Sequence, residues 1–402
     1  MSEPWQSEQW HVSPFNFASE VRSAVHPPSE VTMVDCTLRE GEQQAGVVLR
    51  RDEKLRLAHC LDALGIPQLE AGMPAISLEE RGTIKAIANA GLRAKVLAIV
   101  MANKEDVDRA IDCGVWGVSI SVPFGYLQIE HKLRWSHERI VSTAVELSNY
   151  AHSQGLFVTM SPYDTTRCDL SFLSTFLSTL GREGHVDRVR LVDTVGSATP
   201  ETIRFLVRAM KQMLDRPIEV HCHDDFGLAV ANTIAGVSAG AEVVSTTLNG
   251  MGERAGGAAT EEVALALALL YGVKTGLRLE GLHAASALLQ ELTGVRLQRH
   301  KAVVGEGAFA QEAGLVVGGF LRNPFVAQSY NPEVVGQKTN ILIGKKSGKH
   351  SVKAKLQQLQ LDMSDEDVEK LSERIKEEAE QTKQPLSDDR VRELALEVLR
   401  AG

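Results

Sequence analysis

Nowhere does this sequence hold a run near the roughly 18 apolar residues that a membrane-spanning helix requires, so no membrane association is expected. The first thirty residues set Trp5, Trp10, Phe15 and Phe17 among polar neighbours, with neither the apolar centre nor the cleavage pattern of a secretion signal. A CxxC pair is missing as well. The five cysteines (Cys36, Cys60, Cys113, Cys168 and Cys222) are an odd number, scattered as reduced thiols of the cytoplasm would be. Basic residues form no stripe in a chain of net charge −9, which leaves nucleic acid without its electrostatic footprint. No glycine-rich dinucleotide fingerprint follows the first β-rich run, which weighs against an open doubly wound sheet. What is present is a chain of 402 residues, 44% hydrophobic and 24% charged. That length suits a barrel of about 250 residues with an appended unit.

From Val31 onward, eight short β-rich runs alternate with helical stretches: 31–36, 67–73, 94–100, 115–121, 155–161, 186–192, 217–223 and 241–247. Leu55, Leu57, Leu61 and Leu64 after the first run, and Ile203, Leu206, Val207 and Met210 after the sixth, keep helical spacing. Eight such units predict a closed parallel (β/α)8 TIM barrel over 31–273, preceded by an N-terminal arm, 1–30. The glycine-rich part of 274–344 reads as a linker or lid. Residues 345–402, dense in Lys, Glu, Asp and Leu, read as a small helical domain, with helix starts at Ser364 and Ser387 and no obvious core of their own.

In this fold chemistry sits at the C-terminal ends of the strands. The seventh run ends in His221, Cys222 and His223, and a period of two turns both histidines to one face and Cys222 to the other. The first run leads into Arg39 and Glu40; closure makes strand one a neighbour of strand eight, with seven just beyond, so a carboxylate can reach the two imidazoles. A His-x-His is also compatible with ordinary hydrogen-bonded histidines, and Arg39–Glu40 with a surface ion pair. Their joint position at the barrel mouth favours a metal site. A divalent cation there would act as a Lewis acid, with Arg39 beside it as a fixed positive charge.

The segments VDCTLREGEQQAG, LEAGMPA, HCHDDFGLAVANT, NGMGERAGGAATEEV and GEGAFAQEAG resemble, in this order, motifs of the homocitrate and isopropylmalate synthases, over about residues 31 to 350. Glu40, where isopropylmalate synthases have aspartate, resembles the homocitrate version. The resemblance implies a Claisen-type acyltransferase joining the enol or enolate of acetyl-CoA to a 2-oxo acid, with thioester hydrolysis making the reaction irreversible. It implies Glu40, His221 and His223 as ligands of Mg, Mn, Zn or Co. Thr194 matches a threonine that binds the oxo acid carboxylate, and Ser161 and Tyr163 at the end of strand five are taken as further substrate contacts. Arg39, Glu253 and His131 are taken as catalytic candidates. Asp164, Thr166 and Arg167 match a family loop and equally suit loop packing, as Arg254 beside Glu253 suits an ion pair. The expected assembly is a homodimer, without the additional regulatory domain of leucine-inhibited isopropylmalate synthases.

Several family positions differ. Val316 stands where a histidine is common, Ala327 where a tyrosine follows, with Tyr330 three residues on, and Gly257 where isopropylmalate synthases ligate through asparagine. Tyr163 replaces a glutamate and Met101 an arginine, which leaves the substrate's distal group open, though an apolar or aromatic tail fits more easily than a second carboxylate. Glu253, His131, His300 and Tyr330 are the candidate bases, Glu253 preferred because its loop adjoins strand one. The competing readings are a carbon–carbon lyase of the hydroxymethylglutaryl-CoA type, against which GERAGG lacks that family's cysteine motif, and a metal-binding protein that has lost condensation. A two-histidine, one-carboxylate set also occurs in non-haem iron oxygenases, normally on a different fold.

Overall fold

The computed structural model describes residues 3–401. Eight parallel strands close a barrel: β1 (Thr32–Asp35), β2 (Gln68–Glu70), β3 (Lys95–Met101), β4 (Gly117–Pro123), β5 (Phe157–Tyr163), β6 (Arg188–Asp193), β7 (Ile218–Cys222) and β8 (Val243–Thr246). Closure is by β1 on β8, with Asp35 opposite Thr246. All eight strands expected from the apolar runs form, each within a few residues of its run. The chain divides into two compact units, one spanning Pro14–Leu297 and the other residues 298–401 with 3–13. The stretch 274–344 is therefore shared between them: the helix Leu282–Thr293 belongs to the barrel unit.

Local chemistry explains the helices that cover the barrel. In Pro200–Met213, Thr199 accepts the Thr202 amide, proline opens the first turn, and Ile203, Leu206, Val207 and Met210 are buried on one stripe. The helix Arg51–Leu64 ends on Gly65 at φ 94°, and buries Leu57, Leu61 and Leu64. Beside Ala58 it also buries Lys54 rather than Leu55, because the ammonium is held between Glu42 (2.6 Å) and Glu80 (2.9 Å). Among the described residues no helix is long and apolar enough to cross a membrane.

The second unit holds a two-stranded parallel sheet, β9 (Ala310–Gln311) and β10 (Asn340–Ile341), and the helices Gly314–Phe320, Lys349–Gln358, Asp365–Thr382 and Asp388–Ala401. Ser364 and Ser387 accept the amides of Asp367 and Arg390, as their sequence context predicts. The expectation that these helices lack a core is corrected. Val317, Ile343, Val352, Val368, Leu371, Ile375, Val391 and Leu394 pack into one apolar cluster, gathered from four helices and the segment after β10, each too short to announce it.

Outside the β-sheet wall, Asp35 is fully buried, accepting the Thr37 amide at 2.8 Å and lying 3.1 Å from the Thr260 hydroxyl. Burial pushes its carboxyl up to about 6, despite the Thr37 and Thr260 hydrogen bonds that oppose the shift. The folded chain thus binds this proton more tightly than the unfolded chain does. Its stabilising contribution is complete below about pH 4 and declines as pH rises to about 6. Asparagine can keep both contacts without titrating. Asp35→Asn is expected to melt at temperatures that rise relative to the parent protein between pH 4 and 6, then hold a constant offset. A pH-independent offset in thermal melts across that range would refute the assignment.

Candidate active site at the barrel mouth

The inward face of β7 carries Glu219 and His221, and His223 follows one residue beyond the strand. Cys222 turns to the other face, towards Thr233 of the helix Ala229–Ser238. The chain after β1 turns back sharply, with the amides of Arg39 and Glu40 both donating to the Cys36 carbonyl, which seats both side chains over the mouth. Ligand-type atoms of Glu40, His221 and His223 all lie within 4.8 Å of one another, and all three residues are buried. Glu40 Oε1 is 3.9 Å from His223 Nε2 and accepts the Glu253 amide at 3.2 Å. The imidazoles meet edge to face, with centroids 5.1 Å apart.

Electrostatics prepare this group for a cation. Burial would raise the Glu40 carboxyl, but Arg39 foremost, with His221, His223 and the Glu253 amide, outweighs it and holds the group at about 2. Burial, then His223, keeps His221 well below the ordinary imidazole range, so its ring is neutral with a lone pair to offer. The Nδ1 atoms of both histidines are buried without a hydrogen-bond partner. One ionised oxygen, two imidazoles and these unpartnered nitrogens fit a divalent ion.

Arg39 lies against Glu40, donates Nη1 to Gln43 Oε1 at 2.8 Å, and sends Nε and Nη2 to Glu70 Oε2 at 2.7 and 2.5 Å. Burial alone would weaken its hold on the proton. Glu70 and Glu40 more than offset that penalty and hold the guanidinium above its ordinary range. Glu70 did not emerge from the sequence as a site residue, although a carboxylate ending an otherwise buried strand is a usable signal.

Thr194, just after β6, accepts the Asp164 amide at 2.8 Å, and its carbonyl accepts Arg254 Nη2 at 2.7 Å. Arg254 is clamped to Asp225 at 2.8 and 3.0 Å, a partner that sequence reasoning missed. Arg167 forms a fork on Asp164, and Thr166 bonds Asp193, so this loop is tied together by its own polar residues. Ser161 is buried beside Ser121 of β4. The Tyr163 hydroxyl is buried without a partner, and burial, with the Asp164 charge, pushes it up to about 12. Lys132 stands 4.9 Å from the centre of the Tyr163 ring. Glu253 is half exposed next to Glu40. His131 lies on the turn Ile129–Leu133, 68% exposed beside Glu130, outside the hydrogen-bond network of Glu40. Val316, Ala327, Tyr330 and His300 belong to the second unit.

Gly257 pairs with His223, and its neighbour Gly256 adopts φ 88° where a Cβ would fall 1.9 Å from the Gly250 carbonyl oxygen. Any side chain at position 256 would break the loop that carries Glu253 past Glu40.

Comparison with known proteins agrees with this architecture. Residues 30–289 match the HMGL-like family, and residues 303–383 match the homocitrate synthase post-HMGL domain-like family. The chain is 43% identical to homocitrate synthase AksA of Methanopyrus kandleri, over 89% of this chain and 90% of that protein. It is 40% identical to 2-isopropylmalate synthase of Methanocaldococcus jannaschii, over 87% of this chain and 68% of the relative. (R)-citramalate synthase CimA of the same organism is also 40% identical, over 86% and 70%. Among solved structures, the HMG-CoA lyase of Bacillus subtilis superposes with a TM-score of 0.62 at 20% identity, covering 67% of this chain and 96% of the lyase, which speaks to the fold. With both of its segments matched and relatives similar over most of their length, the chain belongs to the HMGL-like family, beside the homocitrate, isopropylmalate and citramalate synthases.

Proposed function

We infer that this protein condenses acetyl-CoA with a 2-oxo acid, forming a carbon–carbon bond at the ketone carbon and releasing CoA by thioester hydrolysis to leave a 2-hydroxy di- or tricarboxylate. The observation that carries this reading is the buried Glu40, His221 and His223 group with the charged Arg39 against it, at the mouth of a barrel of this family. A divalent ion (Mg, Mn, Zn or Co) held by Glu40, His221 and His223 would supply Lewis acidity at the ketone. Arg39 is a permanent cation in a dry setting, suited to stabilising negative charge on the ketone oxygen. The Thr194 hydroxyl accepts the Asp164 amide, which leaves its own proton to donate to the substrate carboxylate. Tyr163 stays protonated and can donate to substrate, with Ser161 beside it on the inward face of β5. The test is release of free thiol from acetyl-CoA across a panel of 2-oxo acids, with divalent metal and with chelator. Thiol release that requires both an oxo acid and metal is expected; release with neither, or none at all, would overturn the reading.

Glu253 is assigned the proton removal from the acetyl methyl group, since its carboxylate is half exposed while its amide is anchored to Glu40. Glu253→Gln keeps the shape and removes the base. Its kcat is expected to fall by roughly a hundredfold, in the range of general-base losses, with oxo acid affinity measured calorimetrically little changed. Parental turnover in that variant, together with faster condensation by Val316→His, would count against the assignment.

The assembly is taken to be a homodimer, because the second unit leaves Leu315, Leu321 and Val326 exposed to an extent that favours a covered surface. Light scattering at micromolar concentration is expected to give twice the chain mass; a fully active monomer would refute this.

A further inference from the structure

Inside the barrel the charged side chains form a ladder from floor to mouth. At the floor Arg188 donates Nη1 to Gln68 Oε1 at 2.7 Å and Nε to Thr159 Oγ1 at 2.8 Å. Its Nε also lies 2.7 Å from Glu219 Oε2, an ion contact without hydrogen-bond alignment. Glu219 Oε1 accepts Arg190 Nε at 2.7 Å and the Ser245 hydroxyl. Arg190 Nη2 then donates to Glu70 Oε1 at 3.0 Å, and Glu70 Oε2 holds Arg39. Arg188, Arg190, Glu219 and Glu70 are all 0–1% exposed. The rungs come from β2, β6 and β7, so the ladder spans the interior instead of following one wall.

Such a ladder is a poor device for stability alone. Desolvating buried ions costs several kcal/mol each, and well-packed apolar residues of similar volume are often as stable or more so. What it secures is geometry. Glu70 divides its two oxygens, one for each arginine, so Arg190 determines which way the carboxylate faces and hence where the Arg39 guanidinium rests. The flat fork of Arg190 matters here, because Nε and Nη2 reach two different carboxylates at once, which a lysine ammonium on a flexible stem does not reproduce.

We propose that Arg190 is a positioning residue for the condensation, acting through Glu70 to hold Arg39 in place at the barrel mouth. The kinetic part rests on the condensation reading; the positional part does not. Arg190→Lys keeps the charge and loses the fork. Its kcat is expected to fall about tenfold, as small misplacements of catalytic groups do, while KM for the oxo acid changes less than about threefold. Introduced into an Arg39→Lys background, it should cost nothing further in kcat, since the group it positions is already lost. A merely structural residue would instead give additive losses that track the melting temperature.

The second readout needs no turnover: the Nε–H resonance of Arg39 in nitrogen-15 spectra, identified by its disappearance in Arg39→Lys. Arg190→Lys is expected to shift or broaden that signal. An unchanged Arg39 resonance overturns the proposal, and so do additive kinetic losses. A parent protein inactive with every oxo acid would overturn the condensation reading alone, and the Arg39 resonance would then decide the role of Arg190.

Discussion

Replacing His223 by alanine is expected to strip the barrel mouth of bound divalent metal and lower condensation by roughly a hundredfold or more, since Lewis-acid stabilisation is worth several kcal/mol. The imidazole lies 3.9 Å from Glu40 and shares one ligand-distance group with His221. Alanine leaves one carboxylate and one imidazole, a pair that holds metal weakly. Folding should survive. His223 lies beyond the end of β7, and its Nδ1 makes no hydrogen bond that the fold would lose. Metal content by mass spectrometry of the purified protein, turnover and melting temperature together test this. Full metal occupancy in the His221→Ala, His223→Ala double variant would sink the ligand assignment, whatever the turnover.

The largest stability effect is expected at Glu70. This fully buried carboxylate is held well below its usual range, against the opposing effect of burial, by Arg190 first and Arg39 second. Glu70→Gln preserves the side chain's length and removes its charge. Two buried guanidiniums then share an interior with one fewer counter-ion. Breaking a buried pair from one side typically costs about 3–5 kcal/mol, and a loss near 3 kcal/mol or above is expected in urea denaturation, seen as a lower midpoint at an unchanged slope. Turnover at temperatures where the variant stays folded should also drop, because Arg39 loses the anchor of its Nε and Nη2. A destabilisation below about 1 kcal/mol, the range of exposed pairs, would mean that the cations are solvated and that the interior ladder does not exist as described.

The two effects differ in how far the sequence announces them. The His-x-His spacing at 221–223 shows that both imidazoles share a face, because alternation along a strand is local geometry, and the TLREG segment places a carboxylate just after the first strand. Nothing comparable marks Glu70 as the partner of Arg39 and Arg190. It stands alone in LEAGM, 31 residues from one arginine and 120 from the other. Lys54 is a similar case: in sequence it interrupts an apolar helix stripe, and only the approach of Glu42 and Glu80 makes its burial possible.

By itself the sequence determined the eight strand positions, the caps at Ser364 and Ser387, the shared face of His221 and His223, and the family to which the motifs belong. These depend on spacing over two to four residues, or on motif strings, and both survive without a third dimension. The tertiary structure decided that Glu40 meets those histidines, through the β1–β8 closure that sets Asp35 opposite Thr246. It also decided that Arg188, Arg190, Glu219 and Glu70 form one ladder, and that the C-terminal helices possess a core. Alternation says which side chains share a face but not which face turns inward, nor what stands across from it. In a closed barrel that is settled only when all eight strands have joined, since contacts such as Arg190–Glu70 cross the interior between strands 120 residues apart.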